Sequence, residues 1–149
     1  MLREISAGII IYRKTEDGPK FLLLYHGRGY WNFPKGKIES EEKSFQAAVR
    51  ETKEETGLNR NDLKFVNNFK VSEKFSFWRR INEKNVRVFK IVIFYLAQTD
   101  KKIVLISNKK EGQPHEGFAW FTYKEAIKIL LKHKDSQKVL TQAHDFLLK

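Results

Sequence analysis

The segment VRVFKIVIFYLAQ, residues 86–98, most constrains how this chain can fold, because its apolar side chains run nearly without interruption. It reads as a strand buried on both faces. Two further strands, ISAGIIIYR at 5–13 and KFLLLYH at 20–26, flank the turn-like TEDGP and give a hairpin signal. LKFVNNFKVSEKFSF, residues 63–77, reads as another long strand, and a short one is expected around Phe118–Phe121. TYKEAIKILLK and the final KVLTQAHDFLLK have apolar residues at helical spacing. Strands mixed with a few helices imply an α+β fold, an α/β/α sandwich. The 149 residues contain no repeat and no Pro/Gly-rich linker, so a single domain over 1–149 is expected.

Composition narrows the setting more than the function. Without cysteine, disulfides and thiolate metal sites are excluded, which fits a cytoplasmic protein. The N-terminal MLREISAGIIIYRK lacks a signal-peptide layout, and no run approaches the roughly 20 apolar residues needed to span a bilayer. The expectation is a soluble protein with no membrane partner. A net charge of +11 suits an anionic partner, but the lysines are scattered from Lys14 to Lys149 and name none.

The chemistry concentrates after a Gly- and Pro-punctuated loop at residues 27–41. From Glu42 to Thr56 the pattern is helical, with Gly57 as a stop. At about 100° per residue, Glu51, Glu54 and Glu55 fall within one arc, while Phe45, Val49, Thr52 and Thr56 gather on a core-facing one. Crowded carboxylates repel by a few tenths of a kcal/mol per pair. A divalent cation with a preference for hard oxygen ligands removes that penalty. Taken alone, the same residues also read as a solvated face relieved by Arg50 and Lys53.

The preceding loop decides between the two. Gly36, Glu42, Arg50, Glu51, Glu54, Glu55, Gly57 and Leu58 occupy the positions of G-x5-E-x7-R-E-U-x-E-E-x-G-U, in which U is aliphatic. This stretch resembles the Nudix box; Thr52 departs from it, standing where an aliphatic residue is usual. AGIIIYR, FLLLYH, WNFPKGKIE, FKIVIFYLA and HEGFAWFTYKEA extend the resemblance over nearly the whole chain. It implies the Nudix α/β/α sandwich around a mixed sheet, and a pyrophosphohydrolase working with Mg²⁺ or Mn²⁺. The implied metal ligands are Glu51, Glu54, Glu55 and the loop carbonyl at Gly36. Arg50 would fix the rotamer of a neighbouring carboxylate. The general base would be Glu54 or Glu55, or a glutamate of the late KKEGQPHEGFAWF, where Pro114 stands at the relatives' glutamate position and Glu116 or Glu111 could replace it.

Lys35 and Lys37 in the loop could contact phosphates. Thr52 and HEGFAWFTYKEA also resemble the asymmetric diadenosine tetraphosphate hydrolases. That likeness makes Phe146 a candidate for stacking an adenine, with Phe77 and Trp78 as others; one stacked base gains about 1–3 kcal/mol. The expected partner is therefore a small nucleotide, most of all a dinucleoside polyphosphate. The alternatives are an oxidised-purine triphosphate, an RNA 5′ end (the one role for nucleic acid), or a nucleotide-sensing module that does not cut.

Overall fold

The computed structural model describes residues 2–102, 104 and 117–149. In chain order the elements are β1 (Leu2–Thr15), β2 (Gly18–Tyr25), β3 (Trp31–Asn32), β4 (Lys35–Lys37), α1 (Ser44–Thr56), β5 (Lys64–Phe65), β6 (Val71–Ile81), β7 (Lys84–Gln98), β8 (Gly117–Thr122), α2 (Tyr123–Ile129) and α3 (Lys134–Leu147). The described strands form one mixed sheet. β1 and β7 lie parallel, from Leu2 beside Val88 to Tyr12 beside Gln98, and every other pairing is antiparallel.

Alternation along β1 and β7 divides the core in two. Ala7, Ile9 and Ile11 face α1 and pack with Ala47, Ala48 and Leu58. Ile10 and Tyr12, with Val92, Phe94 and Leu96 of β7, face α2 and α3 and pack with Ala126, Leu130, Val139 and Leu140. This is the expected α/β/α sandwich. The apolar run of β7 is covered on both faces only in its second half. Near Lys84 the strand emerges as an exposed hairpin arm with β6. No helix among the described residues is long and apolar enough to cross a membrane.

Several boundaries differ from the sequence reading. The strand expected over 63–77 is two strands, because the VNNFK segment turns with Asn68 at φ 66°, a conformation asparagine tolerates well. β6 then continues to Ile81 and reverses through Asn82 and Glu83, both at positive φ, as in a two-residue hairpin turn. The loop at 27–41 contains β3 and β4. α1 begins at Ser44 rather than Glu42, since Glu42 closes a turn with Glu39 (N to O 3.0 Å) and Gln46 accepts from the Lys43 amide at 2.9 Å. It ends as expected on Gly57, left-handed at φ 76°. α2 stops at Ile129, and α3 starts at Lys134, earlier than the apolar pattern indicates.

Gly8 matters because β4 presses directly against it: a Cβ there would collide with the Pro34 carbonyl oxygen and the Lys35 side chain. Gly8→Ala should push β4 off β1 and cost about 1–3 kcal/mol, the usual penalty for overpacking. At roughly 2–4 °C per kcal/mol for a chain of this size, a thermal melt should show a lower midpoint. An unchanged Tm would mean that β4 is free to shift.

Candidate active site

Arg50 organises the acidic cluster. Its Nε and Nη2 donate to both carboxylate oxygens of Glu42 at 2.7 and 2.9 Å, a bidentate fork. Nη1 donates to Glu51 Oε1 at 2.9 Å and lies 3.4 Å from Glu54. Nη2 also donates to the Lys37 carbonyl at 3.0 Å, tying the helix to β4. These contacts hold the Glu42 carboxyl at about 2, well below the usual carboxylate range, and raise the guanidinium above its ordinary value. The turn at Glu39–Glu42 therefore brings the first box glutamate to the arginine rather than leaving it in solvent.

Glu51 is buried at 7% exposure, whereas Glu54 and Glu55 stay partly open. The glutamates of the shared arc are not equally exposed: Glu51 points inward with Ala47 and Ala48, while Val49, expected on the core-facing arc, is only half-buried. Gly36 makes this orientation available, since any Cβ at that position would occupy the space of the Glu51 carboxylate. The fourth box glutamate is held from the other side, with Glu55 Oε1 accepting the Lys35 amide at 2.7 Å. That amide points away from β1, so the acidic cluster lies along the outer edge of β4.

The box helix and the basic side chains lie on opposite faces of the sheet. By register, Lys35 and Lys37 of β4, Lys90 of β7, and Phe75, Phe77 and Glu73 of β6 share the α3 face. Lys37 Nζ pairs with Glu4 at 3.1 Å, and Arg79 pairs with the same carboxylate at 2.8 Å. Glu4 is pulled down to about 2 as a result, mainly by Arg79. Lys90 and Glu73 went unnoticed in the sequence because each sits in an otherwise ordinary strand; only register brings them together with Lys35. Trp78 faces the opposite way, largely exposed, with the Arg87 guanidinium 5.7 Å from its ring. Phe146 lies far along α3, edge-on to Phe69 at 5.4 Å, and lines an open groove of about 300 Å³ with Lys70 and Lys149. The structure thus brings Lys35 and Phe77 onto one face and leaves Trp78 and Phe146 apart from them. Glu111 and Glu116 lie outside the described residues.

The NUDIX domain profile matches residues 2–143. The chain belongs to the Nudix family. The pig bis(5'-nucleosyl)-tetraphosphatase [asymmetrical] is 30% identical over 95% of this chain and 94% of its own. A solved structure titled Ap4A hydrolase binary complex, from C. elegans, aligns with a TM-score of 0.77 at 28% identity, covering 97% of this chain and 98% of that one. An RNA pyrophosphohydrolase of Vibrio atlanticus is 25% identical over 87% of this chain and 77% of its own. This Nudix protein is a pyrophosphohydrolase acting on phosphoanhydride bonds.

Nudix hydrolases generally need divalent metal ions. Among the described residues no three acidic or histidine side chains converge as a ready cation site; Arg50 and the Lys35 amide engage their oxygens as they stand. The donor chemistry nevertheless fits a hard cation: three carboxylates, Glu42, Glu51 and Glu54, gather at the Arg50 guanidinium, and Glu55 of the same helix is held by the Lys35 amide. The fit depends on Gly36. Gly36→Ala should displace the Glu51 carboxylate and lower turnover at least about tenfold, or about 1.4 kcal/mol in the barrier. Circular dichroism should report a retained fold; full activity would show that Glu51 need not lie there.

Among the described residues Glu73 is the other buried carboxylate, 6% exposed on the α3 face. Burial pushes it up to about 7, partly offset by Lys35, while Asp135 adds to the rise and Ser136 opposes it. A carboxyl raised above its unfolded value contributes stability in full below about 4.5 and loses it as the pH climbs through about 7. The cost above neutrality is about 3 kcal/mol. Glu73→Gln should therefore melt higher than the wild type at pH 8, with the gap closing toward pH 5. A gap independent of pH would contradict the assignment.

Proposed function

We propose that this pyrophosphohydrolase acts on dinucleoside polyphosphates, with diadenosine tetraphosphate as the leading substrate. The observation that carries the reading is the similarity to the pig tetraphosphatase, which runs through nearly the whole of both chains. The arrangement of groups supports it. Lys35 and Lys90 stand on the sheet face next to the edge where the glutamates collect, and Phe75 and Phe77 extend that face with rings 6.1 Å apart. A long substrate needs such an extended track of cations and aromatic rings.

Mg²⁺ or Mn²⁺, held by Glu51, Glu54 and Glu55, would supply charge neutralisation on the diphosphate and a more acidic water. The Gly36 carbonyl, a ligand the resemblance implies, is instead turned toward β1 by the alternation that turns the Lys35 amide outward. Arg50 keeps Glu51 and Glu54 apart and oriented, and the Lys35 amide does the same for Glu55. Lys35 and Lys37 bind phosphate and Phe77 offers a ring to a base, while Trp78, on the opposite face, and Phe146, far along α3, are stacking candidates outside this track. Glu54 or Glu55 serves as the general base, with Glu116 as the alternative from the late loop. The absence of cysteine suits a cytoplasmic setting. Hydrolysis of an RNA 5′ end is the second reading, favoured by the relative from Vibrio atlanticus and by the basic charge.

A panel of diadenosine tetraphosphate, oxidised and ordinary nucleoside triphosphates, ADP-ribose and triphosphorylated RNA tests the reading. The dinucleotide should give the highest kcat/KM, and excess chelator should abolish turnover. Preference for triphosphorylated RNA would replace the proposal with the second reading. Glu54→Gln and Glu55→Gln should each lower turnover by orders of magnitude, with Tm in chelator level or slightly higher because like-charge repulsion is relieved. Unfolding of either variant would make that glutamate structural.

A further inference from the structure

Glu73 is foreign to the acidic cluster that serves the metals: it lies on the opposite face of the sheet, beneath the first turn of α3. Ser136 Oγ approaches its Oε2 at 3.5 Å. Three other elements bring charged or titratable groups toward it: Lys35 from β4, Lys90 from β7 and Tyr30 from the turn before β3, while α3 adds Asp135. Tyr30 accepts from Asn32 Nδ2 at 2.7 Å and meets the His133 ring edge-on at 5.0 Å. Two strands separate Lys35 from Glu73 on this face: β7, which presents Val92 and Phe94, and β1, which presents Ser6 and Gly8 beside Lys37 and Lys35. The small residues of β1 let Lys35 extend across that strand toward the carboxylate.

We propose that Glu73 is a positioning residue for substrate polyphosphate, setting through Lys35 and Lys90 how strongly this face holds an anion. When the carboxyl is protonated, its charge no longer opposes the two ammonium groups, and the carboxylate left beside Lys90 is Glu4, already paired with Lys37 and Arg79. When Glu73 is ionised, it neutralises one of them and repels the incoming charge. A buried carboxyl that titrates near neutrality makes this exchange available at ordinary pH, and a polyanion bound beside it draws a proton onto it. Lys90 is shifted the opposite way, downward, first by burial and then by Lys35, so the pair depends on a nearby negative charge to remain together.

The inference rests on the proposed substrate in one respect, that polyphosphate passes Lys35 and Lys90. A dinucleoside tetraphosphate carries no terminal phosphate, so its own charge stays constant between pH 6 and 9 and any change in KM belongs to the protein. In the wild type, KM for diadenosine tetraphosphate should rise roughly three- to tenfold from pH 6 to 8.5, the scale of one partly screened charge. In Glu73→Gln that rise should flatten, giving a lower KM than the wild type at pH 8.5, while kcat follows the same pH curve in both. A merely structural glutamate would instead raise KM at every pH when replaced. Lys90→Met locates the phosphates: an unchanged KM would overturn the track and the inference with it, whereas a raised KM beside a Glu73→Gln profile that still tracks the wild type would overturn Glu73 alone.

A measurement independent of turnover uses carboxyl-labelled glutamate followed by carbon NMR in chelator. The resonance absent from Glu73→Gln should titrate near neutrality, and inorganic tripolyphosphate should move its midpoint upward by about one unit. A midpoint unmoved by saturating tripolyphosphate overturns the proposal whichever nucleotide the enzyme prefers.

Discussion

Three groups have to fit at one point for this molecule to work: the bare Cα of Gly36, the buried carboxylate of Glu51 and the guanidinium of Arg50. The helix can bury a glutamate only because the facing strand offers no side chain there, and the burial is tolerable only because a cation is paired with it. Arg50 then reaches onward to Glu42 and to the Lys37 carbonyl, so the entry to α1, its middle and β4 share one hydrogen-bonded centre. Neither the loop nor the helix defines the acidic edge without the other.

β4 is three residues long, yet it divides the chemistry of the protein. Its outer edge gives the Lys35 amide to Glu55, while its side chains cross to the face that carries Lys90 and Glu73. One residue thus serves both sides of the strand, fixing a glutamate through its backbone and, in the proposed function, offering its side chain to phosphate. Pairing with Gly8 and Ser6 keeps that geometry, since larger residues on β1 would lift the strand away.

The box was legible because spacing alone places its residues: a fixed interval from Gly36 to Leu58 encodes a turn, a helix and a left-handed stop. The sandwich could likewise be read from the apolar runs of β1, β2 and β7. What escaped was whatever depends on tertiary register. Helical periodicity put Glu51 with Glu54 and Glu55, but periodicity cannot register a glycine on another strand that opens a hole for one of them. Lys90 and Glu73 lie 17 positions apart and become neighbours only through a hairpin whose turn, Asn82–Glu83, carries no glycine to announce it. The break at Asn68 was hidden for a related reason, since apolar residues on both sides of the turn imitate one continuous strand.

The longest parallel pairing joins the beginning of the chain to a segment some ninety residues later, from Leu2 beside Val88 to Tyr12 beside Gln98. The central strands of the sheet therefore cannot meet until most of the polypeptide exists. While it is being synthesised, β1 and β2 can close on each other as a hairpin, but the apolar edge of β1 that belongs to β7 stays bare. Closing so long a loop costs entropy before any contact compensates it, which places this protein among the slower folders for its size. At about 5–20 residues per second on the ribosome, that edge waits several seconds for its partner. The same strand that anchors the finished sheet is thus the nascent chain's principal liability for aggregation.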